Sequence, residues 1–223
     1  MLRLKKKNLY HELAEIIPDN ITIVEGGAFY GNDTVQMARA WPNSRIFTFE
    51  PVPELFTQLQ EKTESYKNIT CINLALAEKA GTAQFWPSEN PKKPGKHSQA
   101  GSLLPPKERL KFSEIRFNEP FEVPTVSLDL WAQQNGIDRI DFLWLDLQGY
   151  ELPVLQGAGD LLSNVSYIYT EVNFIEAYAG QKTYPDIVKK IEAYGFEIIG
   201  KDFDNTEDWF FGNILCRNKR LTQ

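Results

Sequence analysis

Cysteine and histidine are scarce in this 223-residue chain: two of each, Cys71, Cys216, His11 and His97, with no clustered spacing. That pattern argues against a structural zinc site and against a disulfide framework. Both cysteines fall in apolar, strand-like runs and read as small core residues of a reducing compartment, which predicts a cytoplasmic setting. No apolar run approaches the roughly 18 residues of a membrane span. The opening "MLRLKKKNLY" is basic but lacks the apolar stretch of a signal peptide, and reads as a solvated leading segment. A basic excess is missing as well. The formal net charge of -6 argues against a phosphate-tracking nucleic-acid surface. Internal repeats are absent, and nothing in the sequence fixes an oligomeric state.

What is present is an ordinary globular composition. Hydrophobic residues make up 42% and charged residues 24%, enough to build one domain spanning 1–223 around a large core. Apolar runs of strand length, near 21–25, 45–50, 69–76, 140–146, 166–172 and 196–200, alternate with helix-period segments near 8–17, 32–41, 53–65, 127–135, 150–162 and 184–194. "RIFTFE" and "IDFLWLDL" are apolar for most of their length, as in a sheet covered on both faces. The alternation predicts an α/β fold: a doubly wound, mostly parallel sheet with right-handed crossovers. The last run, "DWFFGNILCRN", has no room for a following helix and is expected as an antiparallel strand, hairpinned to 196–200. Asn32 or Asp33 can cap the second helix, and Gly195 can end the last one. Residues 1–19 read as an N-terminal helical segment. Residues 87–120, rich in Pro, Lys, Ser and Gly, read as a long loop of the functional-lid or disordered kind.

The stretch "VEGGAFYGNDT", 24–34, places glycines between a strand and a helix, where a ligand approaches the backbone closely. A dinucleotide fingerprint would need Gly26, a glycine at position 28 and Gly31, but Ala28 fills the middle position. Glu25 would also repel a pyrophosphate by about 1–4 kcal/mol. S-adenosylmethionine has no phosphate and carries a sulfonium and an ammonium, so Glu25 suits it, with Gly27 and Gly31 admitting the ligand. Glu50 ends the next strand before Pro51 and can accept hydrogen bonds from both ribose hydroxyls, a feature that serves either cofactor. The two acids together favour S-adenosylmethionine.

Several stretches then resemble one family, the FkbM-type methyltransferases, over about residues 20–217. "VEGGAFYG" resembles its first turn and "FTFEPVPELFTQLQ" its ribose-binding strand end. "NITCINLALAEKAGTAQFW" resembles its third strand with the hairpin beyond. "VPTVSLDLWAQQNGIDRIDFLWLDLQGYELPVLQGAGDLL" resembles its most distinctive block, and "YIYTEVNF" its fifth strand. The resemblance implies a seven-stranded class I methyltransferase sheet, S-adenosylmethionine as donor, and a hydroxyl acceptor on a sugar, glycan or natural product. It implies that Glu25, Gly27 and Gly31 hold the methionine part, with Gly26 and Phe29 in the same turn. Glu50, beside Pro51, would hold the ribose, and Ala75, Leu76 and Ala77 would border the adenine. Asp146 would lie beside the sulfonium, facing the acceptor. The chain departs from the family at Phe29, where Asn is common, and at Trp144, where Lys is common.

A sugar hydroxyl needs a base. Asp146 and Glu171 end adjacent strands at the edge where such sheets bind ligands, and His97 sits in the long loop, which makes these three the candidates. Asp146, Glu171 and Asn173 also form a possible Mg²⁺ set of oxygen ligands. Glu151 is expected to serve a helix N-terminus. "DLQGY" stands where nitrogen methylators carry Asn/Asp-Pro-Pro-Tyr, which favours an oxygen acceptor. Lys92, Lys93, Lys96, His97, Lys107 and Arg109 make the loop basic, so an anionic acceptor is one expectation. Two other readings stay open: a nucleotide-linked oxidoreductase, and a non-catalytic module that keeps the cofactor pocket.

Overall fold

The computed structural model describes residues 1–93, 95–112 and 114–221; Pro94 and Ser113, within the expected loop, lie outside the described residues. Its strands are β1 (Leu2–Arg3), β2 (Thr22–Gly26), β3 (Arg45–Phe49), β4 (Ile69–Ile72), β5 (Ala75–Ala77), β6 (Gly81–Phe85), β7 (Ser88–Glu89), β8 (Arg116–Phe117), β9 (Phe121–Ser127), β10 (Ile140–Leu145), β11 (Val165–Asn173), β12 (Phe196–Lys201) and β13 (Phe211–Asn218). The helices are α1 (Leu9–Ala14), α2 (Asn32–Ala40), α3 (Pro53–Thr63), α4 (Leu128–Gln134), α5 (Glu151–Gly157) and α6 (Tyr184–Ala193).

The main sheet runs β1-β12-β13-β11-β10-β2-β3-β4. It is parallel except for β13, which pairs antiparallel with both β11 and β12. It has eight strands rather than the seven expected, because Leu2–Arg3 adds a two-residue edge to β12. Winding starts at β2 and proceeds through β3 to β4 on one side, then resumes at β10 on the other. The β2/β10 seam is therefore the topological switch point, where open α/β sheets bind ligands at their carboxyl ends.

The continuous apolar runs are explained by cover on both faces. All nine residues of β11 are buried. Successive residues of β2 feed opposite layers. Val24 packs with Phe49, Trp131, Leu143 and Ile168 on one face; Ile23 packs with Met37, Trp41, Phe142 and Leu215 on the other. Among the described residues no helix is long and apolar enough to cross a membrane.

Three local expectations are corrected. The run 69–76 is two strands: β4 ends, Asn73 donates its side-chain amide to the carbonyls of Glu50 (2.8 Å) and Pro51 (3.2 Å), and β5 turns away to pair with β9 in a second sheet, β5-β9-β6. The helix expected over 150–162 stops at Gly157 and resumes as a 3₁₀ turn, because Gly159 takes φ +51°. Helix α2 has no side-chain cap. Its N-cap is Gly31 at φ +73°, while Asn32 accepts from Lys62 and Asp33 accepts from the Tyr10 hydroxyl.

The segment 87–120 is not a structureless loop. Trp86 and Ser102 exchange backbone hydrogen bonds (2.8 and 3.2 Å), β7 pairs with β8, and the amides of Lys107 and Arg109 both donate to Ala177 O at 2.9 Å. It is a strap laid across the carboxyl edge of the sheet.

Helix α5 packs unusually close to β5. A Cβ placed on Gly157 would lie 2.6 Å from Glu78 O and 2.7 Å from Ala77 O. Gly→Ala inside a helix normally stabilises by up to about 1 kcal/mol. Here the backbone contact opposes it, since overpacking costs about 1–3 kcal/mol. Gly157→Ala is expected to lower the melting temperature by about 2–4 °C; a rise in a thermal melt would show that α5 does not need this approach.

Candidate active site

The carboxyl ends of β2 and β10 clamp together. Asp146 N–H donates to Gly26 O at 3.1 Å, and a Cβ on Gly27 would lie 2.0 Å from Asp146 O. With φ +89° as well, position 27 takes only glycine. The amides of Gly27 and Ala28 then donate to Phe49 O (3.1 and 3.0 Å), which folds the turn over the end of β3. Phe29 follows at φ +52°, and its amide donates to Glu50 Oε2 at 2.9 Å. Glu50 Oε1 accepts from Val52 N–H at 2.9 Å. Both carboxylate oxygens of Glu50 are thus tethered to backbone, and the group is aimed rather than free. Burial nonetheless pushes its pKa up to about 7, against those two hydrogen bonds.

Glu25 is not at the rim. Its side chain is 1% exposed and turned beneath the turn, where Oε2 accepts from Thr34 Oγ1 and Thr48 Oγ1, both at 2.6 Å. The strand pleat dictates this. Ile23 faces the layer that contains Trp144, and Glu25, two residues on, faces the same way. Burial raises its pKa to about 7, opposed by the two threonine hydroxyls.

Two cavities open at this edge. The first, with about 650 Å³ of empty space and partly open to solvent, is walled by Gly27, Phe29, Glu50, Pro51, Ala75, Leu76 and Asp146 from the expected cofactor set. Phe85, Tyr150 and the strap residues His97, Ser98, Ser102 and Leu103 complete it. Glu25, Gly26, Gly31 and Ala77 are not in its wall. Gly31 instead lets α2 approach α3, since a Cβ there would meet Leu59 Cδ1 at 2.5 Å. Among the described residues the wall carries no lysine or arginine to meet a pyrophosphate, while a tethered carboxylate faces a slot lined by Leu55, Leu74 and Leu76. That donor set fits an adenosine with a free ribose diol and a non-phosphate tail.

The second cavity is a wide groove. Its floor is aromatic: Trp144 stacks on Tyr169 at 4.2 Å and on Tyr10 at 5.8 Å. Phe203, Phe210, Phe211 and the 55%-exposed Trp209 form one side, with Arg109 4.8 Å over the Phe210 ring. Asp33, Asp202 and Glu171 add carboxylates. Trp144, where the family commonly has lysine, is therefore floor as well as core. The cavities share only Ser98, Gln99, Asp146 and Gln148.

At that junction Gln148 Nε2 donates to Asp146 Oδ1 at 2.8 Å and lies 3.4 and 3.5 Å from the two oxygens of Glu171. Glu171 is buried, and burial together with the charges of Asp146 and Glu151 holds its pKa well above the carboxylate range. Glu151 accepts from the amides of Leu147 (2.9 Å) and Gly149 (3.2 Å) and braces the loop, as expected of a helix-start acid. His97 lines the first cavity and not the groove, which separates it from the acceptor side. The Mg²⁺ set does not assemble: Asn173 turns its NH₂ to Glu171 Oε1 (3.2 Å), and among the described residues no group of three or more His, Cys, Asp or Glu could hold a metal ion.

Sequence reasoning missed Gln148, Tyr178 and the threonines under Glu25. Gln148 had a signal in its place between Asp146 and the turn glycine 149; Tyr178, in "FIEAYAGQ", had none.

A doubly wound sheet with these two cavities meeting at its switch point defines a class I S-adenosylmethionine-dependent methyltransferase. Residues 25–198 match the Methyltransferase FkbM domain, and the chain belongs to that family. It is 29% identical over 205 residues to 2-O-methyltransferase NoeI of Sinorhizobium fredii (strain NBRC 101917 / NGR234), covering 92% of this chain and 82% of that protein. Methyltransferase sdnD of Sordaria araneosa is 26% identical over 211 residues, covering 82% and 76%. Among solved structures, magnesium protoporphyrin IX methyltransferase of Synechocystis PCC 6803 with bound S-adenosylmethionine shares the fold (TM-score 0.54, 12% identity, covering 96% of this chain and 79% of that one). So does Aeropyrum pernix fibrillarin with bound S-adenosyl-L-methionine (TM-score 0.53, 14% identity, covering 94% and 74%). The oxidoreductase reading falls with the family match.

The buried acids set a pH dependence. Glu25, Glu50 and Glu151 each rise from 4.5 to about 7 in the folded chain. A carboxyl that holds its proton more tightly when folded stabilises fully below its unfolded pKa, and loses that contribution as pH climbs through the folded value. The melting temperature of the ligand-free protein is expected to fall from pH 5.5 to 8, and Glu25→Gln to flatten the fall. An unchanged slope in the variant would show Glu25 ionised throughout, held by Thr34 and Thr48.

Proposed function

We propose that the protein transfers the methyl group of S-adenosylmethionine to a hydroxyl of a sugar, glycan or related natural product. The observation that carries this reading is the aromatic, carboxylate-edged groove opening onto the donor cavity at Asp146. Aromatic faces take the C–H faces of a sugar ring, and buried polar groups select its hydroxyls. The name 2-O-methyltransferase borne by the NoeI relative supports oxygen as the acceptor atom.

S-adenosylmethionine, when bound, supplies an electrophilic methyl on a sulfonium. Glu50 would accept hydrogen bonds from the ribose hydroxyls, Ala75 and Leu76 would border the adenine, and Gly27 and Phe29 would admit the methionine part beside Asp146. Glu25, Gly26, Gly31 and Ala77 act behind the wall, keeping the turn and its neighbours in place. Asp146, with Glu171 beside it, receives the proton of the acceptor hydroxyl as the oxygen attacks. The strap excludes water and aligns the partners.

The acceptor is uncharged. Two of the six basic residues that suggested an anionic one are paired with acids, Lys92 with Glu114 (2.6 Å) and Lys107 with Glu176. Among the described residues lining the groove, Asp33, Glu114, Asp146, Glu171 and Asp202 stand against Lys92 and Arg109. The same acid excess disfavours nucleic acid. Free Cys71 and Cys216 support a cytoplasmic setting. We read the chain as one catalytic domain over 1–223, with residues 1–19 and 87–120 on the acceptor side.

Calorimetric titration with S-adenosylmethionine and S-adenosylhomocysteine, followed by a methyl-glycoside panel read by mass, tests this. Glu50→Ala is expected to weaken both ligands at least about 10-fold, from the loss of charge-assisted hydrogen bonds. A glycoside lacking the accepting hydroxyl is expected to receive no methyl. Unchanged ligand affinity in Glu50→Ala would remove the ribose assignment, and methylation only of amine acceptors would remove the hydroxyl one.

A further inference from the structure

Gln148 reaches both cavities with its side chain, and four contacts fix it. Its backbone sits at φ +51°, a left-handed conformation that a non-glycine residue keeps only when its surroundings hold it. Its carbonyl accepts from Ser102 Oγ at 2.8 Å, a bond supplied by the strap. Its side-chain oxygen accepts from the Tyr178 hydroxyl at 3.0 Å, which leaves the NH₂ end to face Asp146 and Glu171. Tyr178 is itself buried, its hydroxyl shared with Ala100 O at 2.9 Å and bonded by Arg109. A reversed amide would set its oxygen against the carboxyl oxygens of Asp146 and Glu171 and would lose the bond it accepts from Tyr178.

We propose that Gln148 is a positioning residue, its amide oriented by Tyr178 so that one nitrogen holds the carboxyls of Asp146 and Glu171 as an acid–base pair at the junction of the two cavities. This rests on the methyl-transfer reading for its purpose, but not for its geometry. Donation to a carboxylate favours the charged form, and the shorter bond goes to Asp146 (2.8 Å, against 3.4 and 3.5 Å to Glu171), so of the two Gln148 favours Asp146 as the proton acceptor. The pair is also faced by Glu25 from β2, Glu151 from the start of α5, Arg109 from the strap, Tyr178, and Tyr169 from β11. Asp202 and Asp33 stand farther along the groove, against Tyr169. Among the described groups named here Arg109 is the cation, and it also bonds Tyr178, so Gln148 adds a neutral donor between the two acids.

The test is a carbon-13 titration of side-chain carboxyls in the full chain, with the two signals assigned by their loss in Asp146→Asn and Glu171→Gln. Gln148→Met keeps the length of the side chain and removes the donor. It is expected to move the Asp146 titration up by about one pH unit or more, the size of a lost hydrogen bond to a charged acceptor. Tyr178→Phe is expected to move it the same way by less, because the amide stays but is no longer oriented. A thermal melt shows whether each variant is folded. An Asp146 titration left in place by folded Gln148→Met overturns the proposal, and so does an upward move in that variant with none in Tyr178→Phe. Neither arm needs donor or acceptor, so failure of S-adenosylhomocysteine to bind the unaltered chain would count against the methyl-transfer reading alone.

Discussion

The site depends on how closely two strand ends meet. Asp146 N–H bonds Gly26 O, and no atom fits between Gly27 and the Asp146 carbonyl. That contact fixes the height at which β2 turns over. The turn then presents the Phe29 amide to Glu50, and β10 releases its chain into Leu147–Gly149 beside it. Donor-side and acceptor-side groups are therefore indexed to a single backbone contact, and a side chain at position 27 would displace both together.

Much of this was legible in the sequence because it is backbone logic. Strand–Gly–helix spacing, strands apolar on both faces, an acid before Pro51 and an antiparallel run hairpinned to 196–200 each leave a local signature, and each lands where its pattern placed it. The failures share a different cause. Ile69–Ala77 looks like one strand because Asn73, which ends it, works by reaching Glu50 and Pro51, residues more than twenty positions away. Asn32 and Asp33 look like caps because a cap is local, yet Lys62 and Tyr10 engage them. Tyr178 touches Gln148 and Ala100, at sequence separations of 30 and 78, and no periodicity encodes such a contact. Local chemistry is readable along the chain; polar partners set by the fold are not.

Glu25 shows why a correct motif can suggest the wrong contact. The residue was singled out as an acid suited to a cationic ligand, and the chain does belong to a family that uses such a ligand. The side chain nevertheless faces the opposite layer, where two threonine hydroxyls satisfy it. Its value lies in joining β2, β3 and α2, through Thr48 and Thr34, directly below the cofactor turn. A buried carboxyl is costly unless hydrogen-bonded, and leucine in its place would remove the acceptor that both hydroxyls use. The acid is thus held in place by its supports as much as they are by it.

The strap decides what kind of acceptor can enter. It contributes His97 and Leu103 to the donor cavity, Arg109 to the groove, and Ser98 and Gln99 to both, while Ser102 bonds the carbonyl of Gln148. Three of its lysines pair with acids: Lys92 with Glu114, Lys107 with Glu176, Lys111 with Glu108. The positive charge the segment presents is thereby reduced, and it lies over a groove whose described lining has an excess of acids. An anionic acceptor would meet Asp146 and Glu171 at the point where its oxygen must attack, with Arg109 already committed to Tyr178 and the Phe210 face. A neutral ring with several hydroxyls meets no such barrier. Its apolar face can lie on Trp144 and Tyr169 while one hydroxyl points at Asp146, and the aromatic floor and the paired acids then serve the same molecule.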